Sequence, residues 1–437
     1  MLNVCKEVIF PLSLNFINDL VEELFMSLGI AFIGSGFSAR FHLRGLVGVR
    51  NVEVKAIYSR NLESAKEFAA LSDQLGLGRP KVYDDVSKLV GDKEVNAIWL
   101  TVPNNVHLEY TKLIVEEVNQ GKSNLIGIAV EKPLARNVKE AKEMIRLVEK
   151  AGLLHGYLEN QIFMPSVVRG REVVWQMGAK NSGRPYLARA AEEHSGPHNS
   201  WFWRPTISGG GALLDMTCHS LETTRFLLTD PSKDKSSLKP KFVYGEIATL
   251  KWNKIEYAKH LKERYNVDFL KEQAEDYALT VITYEDDLGN VVMAETRTSW
   301  NFVGAGLRLS VEVLGPEYSL NINTLQPELF TFFSRNIKLP PTEAFVEKQN
   351  ADQGLMPVIP DESVTYGYQG EDRHMVESFL SHKMPYENWY DGLLIVQLMM
   401  HAYLSAEMGK KIKFNPDQVE DFVPKVAKGE WNSNYIL

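Results

Sequence analysis

The segment Gly34-Ser-Gly36-Phe-Ser-Ala39 lies between an apolar run, residues 28–34, and a stretch that reads as a helix from about Phe37. A buried strand, a glycine turn and a helix in that order leave few folds open, because the chain must reverse sharply and lay the helix back on the strand. Gly34 permits the tight turn, Gly36 lets main chain approach a ligand closely, and Ala39 is small enough for the helix to pack. Phe37 and Ser38 open the helix. Its first N–H groups and the positive end of its dipole suit a pyrophosphate. The expected ligand of such a turn is a dinucleotide.

The surrounding rhythm supports that reading. Apolar runs at 28–34, Val52–Tyr58, 95–102 and 125–130 alternate with helical patterns, such as 62–71 with Ala65, Phe68 and Ala69 on one face. Strand and helix in alternation predict a parallel sheet covered on both sides, a Rossmann-type α/β domain. Beyond about residue 160 the rhythm changes. Helical stretches at 166–177 and Ala212–Leu228 flank a polar, aromatic segment. Strand-like runs follow at 242–250, 277–284, Val291–Ser299, 307–314 and 318–322, with hairpin signals such as Asp287-Leu-Gly-Asn290. This predicts an α+β domain on an open, mainly antiparallel sheet. The expected division is 1–26, 27–160 for the dinucleotide domain and 161–437 for the second domain. Within the latter, 256–273 reads as an inserted charged helix, 338–370 as a long loop rich in Pro and Gly, and 391–408 as a last helix with its apolar stripe inward.

Residues 1–26 are read two ways. Their apolar runs are broken by Pro11 and Asn15, carry the single Lys6, and lack the basic start and cleavage site of a signal peptide. Met26 directly precedes the first strand, so the segment is either an over-extended gene start or a helix packed on the domain.

Composition narrows the classes. With 44% hydrophobic and 24% charged residues, the chain has a globular balance. A net charge of -8 argues against nucleic acid, whose phosphates need clustered cations. Two cysteines, Cys5 and Cys218, rule out a disulfide scaffold in practice and favour the cytoplasm. No apolar run is long enough to predict a membrane span.

The end of the second strand bears on the choice of dinucleotide. An acid there would bind a ribose 2′-hydroxyl and repel a 2′-phosphate. The chain has Tyr58-Ser59-Arg60 instead. Ser59 can donate to a phosphate and Arg60 can pair with it, which favours NADP over NAD. In the competing reading Arg60 is a solvated helix-start residue, or stacks on adenine without selecting.

Three further strings complete a pattern: Thr101-Val-Pro103-Asn104-Asn-Val-His107, Glu131-Lys132-Pro133 and Asp215-Met-Thr-Cys-His219. With the glycine turn, in this order, they resemble the glucose–fructose oxidoreductase / inositol dehydrogenase family (Gfo/Idh/MocA) from about residue 27 to 415. Ser208-Gly-Gly-Gly-Ala212 and Tyr403-Leu-Ser-Ala-Glu-Met-Gly409 add to the likeness. The resemblance implies that Lys132 lies beside the nicotinamide and the reacting hydroxyl. It also implies that His219 accepts the proton, helped by Asp215 and Lys132, and that the second domain's sheet builds a homodimer or homotetramer.

The chemistry fits those residue types. Oxidising a secondary alcohol needs a base within reach of the hydroxyl, and histidine titrates near neutrality. Asp215 lies one helical turn before His219, so its carboxylate could orient the imidazole. Lys132 would supply positive charge where an alkoxide develops. A cis bond at Pro133 would fix where that lysine points. Read alone, Asp215 is a helix cap, His219 a satisfied core histidine and Lys132 a surface lysine.

Pro103, Asn104 and His107 fall at the strand edge where a nicotinamide is expected, though His107 reads equally as a loop anchor, and Glu131 as a support for the strand end. Substrate contacts are expected from Asn160, Gln161, His194, His198, Trp203 and Arg204, since aromatic faces suit sugar C–H groups and His and Arg read hydroxyls. His194 and His198 have zinc-like spacing, but Gly196 and Pro197 break the helix such a site needs, so no metal is expected. The leading expectation is a sugar or polyol dehydrogenase. A glycosidase using transient oxidation and a dinucleotide-sensing regulator share the framework; the presence of both Lys132 and His219 argues against the regulator.

Overall fold

The computed structural model describes residues 27–336 and 346–433; the expectations for residues 1–26 lie outside them. Six parallel strands form the first sheet: β1 (Leu28–Ile33), β2 (Val52–Tyr58), β3 (Lys81–Tyr83), β4 (Ala97–Leu100), β5 (Gly127–Glu131) and β6 (Leu154–Leu158). Their order is β3-β2-β1-β4-β5-β6. β1, β4 and β5 are buried along their whole length, as strands covered on both faces must be. The order reverses between β1 and β4, which opens a crevice at their carboxyl ends.

The second sheet has seven strands in the order β12-β11-β7-β10-β9-β8-β15: β7 (Leu187–Glu193), β8 (Leu238–Ala248), β9 (Tyr277–Asp286), β10 (Val291–Ser299), β11 (Arg308–Gly315), β12 (Tyr318–Asn323) and β15 (Ile412–Lys413). Only β7 and β10 pair in parallel. Buried and less buried residues alternate along β9 and β11, the mark of a sheet with one face on a core. Helices Ala212–Leu228 and Trp389–Met408 cover that face. No helix among the described residues is long and apolar enough to cross a membrane.

Three segments depart from the sequence reading. The 256–273 helix is only Ile255–Tyr265. It stops at Asn266, whose φ of 52° is left-handed, and then Val267 and Phe269 turn inward against Trp203. Within 338–370 the described residues are not a plain loop: β14 (Gly354–Val358) pairs with β13 (Leu329–Phe333), and the short helix Glu362–Thr365 follows. A helix at Tyr368–Leu380 then returns to the first sheet's layer and packs on Phe37–Leu46.

Candidate active site

The glycine turn follows β1 as the sequence requires. Gly34 has φ of 111°, and a Cβ there would lie 2.4 Å from the Thr101 carbonyl oxygen. Only glycine fits both constraints. A Cβ on Gly36 would meet no atom within 4 Å; it would project into the cavity that the turn lines. The helix Phe37–Leu46 begins there without a side-chain cap or a first-turn acid, so its N–H groups are open to a ligand. That cradle fits a pyrophosphate.

The cavity holds about 560 Å³ and joins the glycine turn to the second domain. At one end stand Ser59 and Arg60, after β2, with Asn61 and Ser64. Ser35 donates from Oγ to Ser64 Oγ at 2.8 Å, which ties the turn to this end. Arg60 has no carboxylate within ion-pair distance among the described residues. Pro103 and Asn104 line the middle, where Asn104 Nδ2 donates to the Ser208 carbonyl at 2.7 Å.

At the other end Lys132, Asp215 and His219 converge from β5 and from the Ala212–Leu228 helix. The Lys132–Pro133 bond is cis. Lys132 Nζ donates to the Asp215 carbonyl at 3.0 Å and lies 3.6 Å from its carboxylate. Burial would lower the Lys132 pKa, but Asp215 beside it holds it above the ordinary value. Glu131 is tied from below. One carboxylate oxygen meets His42 Nε2 at 3.2 Å, and the other accepts from the Lys132 main-chain N–H at 3.1 Å. His42 in turn bonds Asp372 at 2.8 Å, from the returning helix. Burial would lower the His42 pKa, yet Asp372 and Glu131 hold it well above 6.5.

The Asp215 carboxylate does not orient His219. It is engaged by Lys132 and by Trp300 Nε1 at 3.1 Å. Glu159 takes the orienting place: its Oε1 meets His219 Nδ1 at 2.5 Å, fully buried. The two-domain convergence brings in a residue from the end of β6, which an i,i+4 reading of one helix cannot see. Nε2 is then the ring nitrogen left for a ligand. Burial would lower the His219 pKa, but Glu159 chiefly raises it above its usual value.

Both halves of the chain match family descriptions. Residues 28–157 match the oxidoreductase family, NAD-binding Rossmann fold, and residues 177–321 match the GFO/IDH/MocA C-terminal domain. The chain belongs to the Gfo/Idh/MocA family. Over 207 residues it is 30% identical to the 1,5-anhydro-D-fructose reductase of Ensifer adhaerens, covering 45% of this chain and 56% of the relative. Over 211 residues it is 25% identical to scyllo-inositol 2-dehydrogenase (NADP(+)) of Bacillus subtilis, covering 47% and 60%. The matches thus span little more than half the length of these curated relatives. The structure of GenD2 from gentamicin A biosynthesis, in complex with NAD, superposes with a TM-score of 0.71 at 22% identity, over 89% of this chain and 97% of that one. That likeness is one of fold.

In this Gfo/Idh/MocA chain, several residues expected at the cavity stand elsewhere. Ala39 is fully buried behind the turn and serves packing. His107 is buried with its ring nitrogens 3.1 Å and 3.0 Å from the Leu134 and Val102 carbonyls, so it anchors the loop. Arg204 points away and donates to the Asn266 carbonyl at 3.1 Å. Trp203 is a core residue, 1% exposed, packed edge-on against Trp252 and Trp300. Trp203→Ala should therefore cost about 3–5 kcal/mol of folding stability. Chemical denaturation measures this; a stable variant with a raised substrate KM would return Trp203 to the pocket.

Asn160, Gln161, His194 and His198 do line the cavity. Asn160 Nδ2 donates to the Tyr366 carbonyl at 2.7 Å, and Gln161 Nε2 to Glu192 at 2.7 Å. His194 Nδ1 accepts from the Gly196 N–H at 2.9 Å. Burial pushes the His198 pKa down to about 4, and Lys348 adds to the effect. Glu159, Glu347, Lys348, Tyr366 and Tyr368 are not among the residues the sequence points to.

Proposed function

We propose that the chain is an NADP-dependent oxidoreductase that moves hydride between the nicotinamide and a CH–OH group of a sugar or polyol. The observation that carries this reading is the meeting of Lys132, Asp215 and His219 on the wall of the same cavity that begins at the glycine turn. When bound, the nicotinamide ring supplies the hydride acceptor or donor. The chain's residues do the rest. Main-chain N–H groups at Gly36–Ser38 hold the pyrophosphate, and Ser59 and Arg60 hold a 2′-phosphate. His219 Nε2 takes the hydroxyl proton, Glu159 stabilises the imidazolium, and Lys132 stabilises the oxygen as it gains negative charge. The names of the relatives, a reductase of an anhydro-sugar and an NADP(+) inositol dehydrogenase, agree with this class.

The test is a panel of aldoses, polyols and glycosides with NADP and NAD, following reduced cofactor and analysing products. Sugar-dependent reduction supports the reading. Glycoside cleavage without net reduction overturns it. Arg60→Ala should raise the KM for NADP about tenfold or more, the equivalent of ~1.5–3 kcal/mol for a lost charged contact, with much less effect on NAD. An unchanged NADP/NAD ratio would remove Arg60 from cofactor choice.

A further inference from the structure

The cavity's substrate end holds a second lysine that the proposed chemistry does not use. Lys348 lies in the connection between β13 and β14, yet it lines the same cavity as Lys132, His194 and His198. Its backbone is held firmly. Val346 is fully buried, Leu307 N–H donates to the Glu347 carbonyl at 2.7 Å, and Glu347 N–H donates to the Glu362 carboxylate. Lys348 itself has φ of 59°, a left-handed conformation that a side-chain-bearing residue seldom adopts. Such strain persists where the surrounding structure imposes it, and is common at ligand sites.

Among the described residues the ammonium has no ion-pair partner; burial lowers its pKa, and the more distant charges of Glu347, Asp215 and Glu192 work against that. No carboxylate lies within 4.0 Å of it among the described residues, whereas Asp215 is engaged by Lys132 and Trp300, and Glu159 by His219. Glu192, which also lines the cavity, accepts from Gln161, and burial raises its pKa; burial likewise pushes Glu347 up to about 7. Both acids are thus less able to neutralise Lys348. The neighbouring imidazoles are neutral at pH 7, since burial and the Lys348 charge lower the pKa of each. With Nδ1 of His194 accepting from Gly196, its Nε2 is the protonated nitrogen, a donor.

From this placement we infer that Lys348, with His194 and His198, forms an anion subsite, and that the substrate is a sugar acid bearing one carboxylate rather than a neutral sugar. One ammonium flanked by neutral imidazoles matches a single negative charge; a phosphate dianion would call for a second cation or an arginine fork. The inference rests on the dehydrogenase reading for the word substrate, but the subsite has its own readout.

Calorimetry on the NADP-saturated protein compares D-glucuronate and D-gluconate with D-glucose, D-glucitol and D-glucose 6-phosphate, in the wild type, Lys348→Met and Lys348→Arg. Initial rates of cofactor reduction are followed in parallel. The expected result is that at least one acid binds ten times or more tighter than its neutral counterpart. Lys348→Met should abolish that ratio and Lys348→Arg keep most of it, with NADP affinity unchanged in both. Equal binding of acids and neutral sugars, tighter binding of the phosphate, or a preference that survives Lys348→Met would overturn the subsite. Turnover of neutral sugars without acid preference sinks the subsite and leaves the dehydrogenase. Acid preference without hydride transfer from any compound does the reverse.

Discussion

Lys132→Met is expected to lose about 10³-fold in kcat while its cofactor affinity stays within about threefold of wild type, the rate loss corresponding to ~4 kcal/mol of barrier. Methionine keeps the length and the apolar stem, so the change removes charge more than volume. The charge sits where it matters. Lys132 Nζ is 3.0 Å from the Asp215 carbonyl and its side chain is 20% exposed, in a wall shared with His219. An ammonium in that setting stabilises a developing alkoxide far better than one in water. The proposed phosphate contacts, at the glycine turn and Arg60, lie at the other end of the cavity, and so should be untouched. Initial rates with the best sugar, and cofactor titration by fluorescence, check the two halves separately. Unchanged turnover would take Lys132 out of the mechanism. Lost cofactor binding would recast it as a binding residue. Asp215 would keep its bond from Trp300, so the variant should fold.

Much of this arrangement was legible in local patterns. The Gly34-to-Ala39 turn, the parallel strands and the shared helix face of Asp215 and His219 each have a short-range signature, because a tight turn, a doubly covered strand and a helical repeat constrain neighbouring residues. What escaped depends on contacts far apart in the chain. Glu159 directly follows β6 and precedes Asn160 and Gln161, which the sequence marks as site residues; its place at the carboxyl edge of the sheet is the available signal, but nothing local pairs it with His219, 60 residues later. The helix Tyr368–Leu380 hid for a related reason. Its buried face includes Glu371 and Asp372, and Asp372 is buried because it meets His42, 330 residues away. Apolar periodicity is blind to a face of that kind. Trp203 and Arg204 show the opposite error. Aromatic and basic residues in a loop suggest a sugar pocket, but residue type alone does not tell a core tryptophan from a lining one.

Glu159→Gln tests the contact that sequence missed, and its effect on pH dependence has a definite sign. Burial acts to lower the His219 pKa and the Lys132 charge adds to that, while Glu159 and, less strongly, Glu192 raise it, for a net upward shift from 6.5. As the proposed base in alcohol oxidation, His219 must start neutral. Wild-type kcat/KM for oxidation should therefore climb as pH rises through the raised pKa and level off above it. Glutamine keeps a carbonyl oxygen that can accept from Nδ1–H but carries no charge. The imidazolium then loses its main stabilising partner, and the acid limb should move to lower pH. On the plateau the rate should still fall about 10²-fold, because the proton-bearing ring is less stable as it forms in the transition state. Ketone reduction starts from the protonated ring, so its alkaline limb should shift downward as well. Paired pH profiles in both directions measure this. Limbs that stay in place, or move up, would show that Glu159 does not govern the proton on His219, and the base would have to be sought among the other groups of the cavity wall.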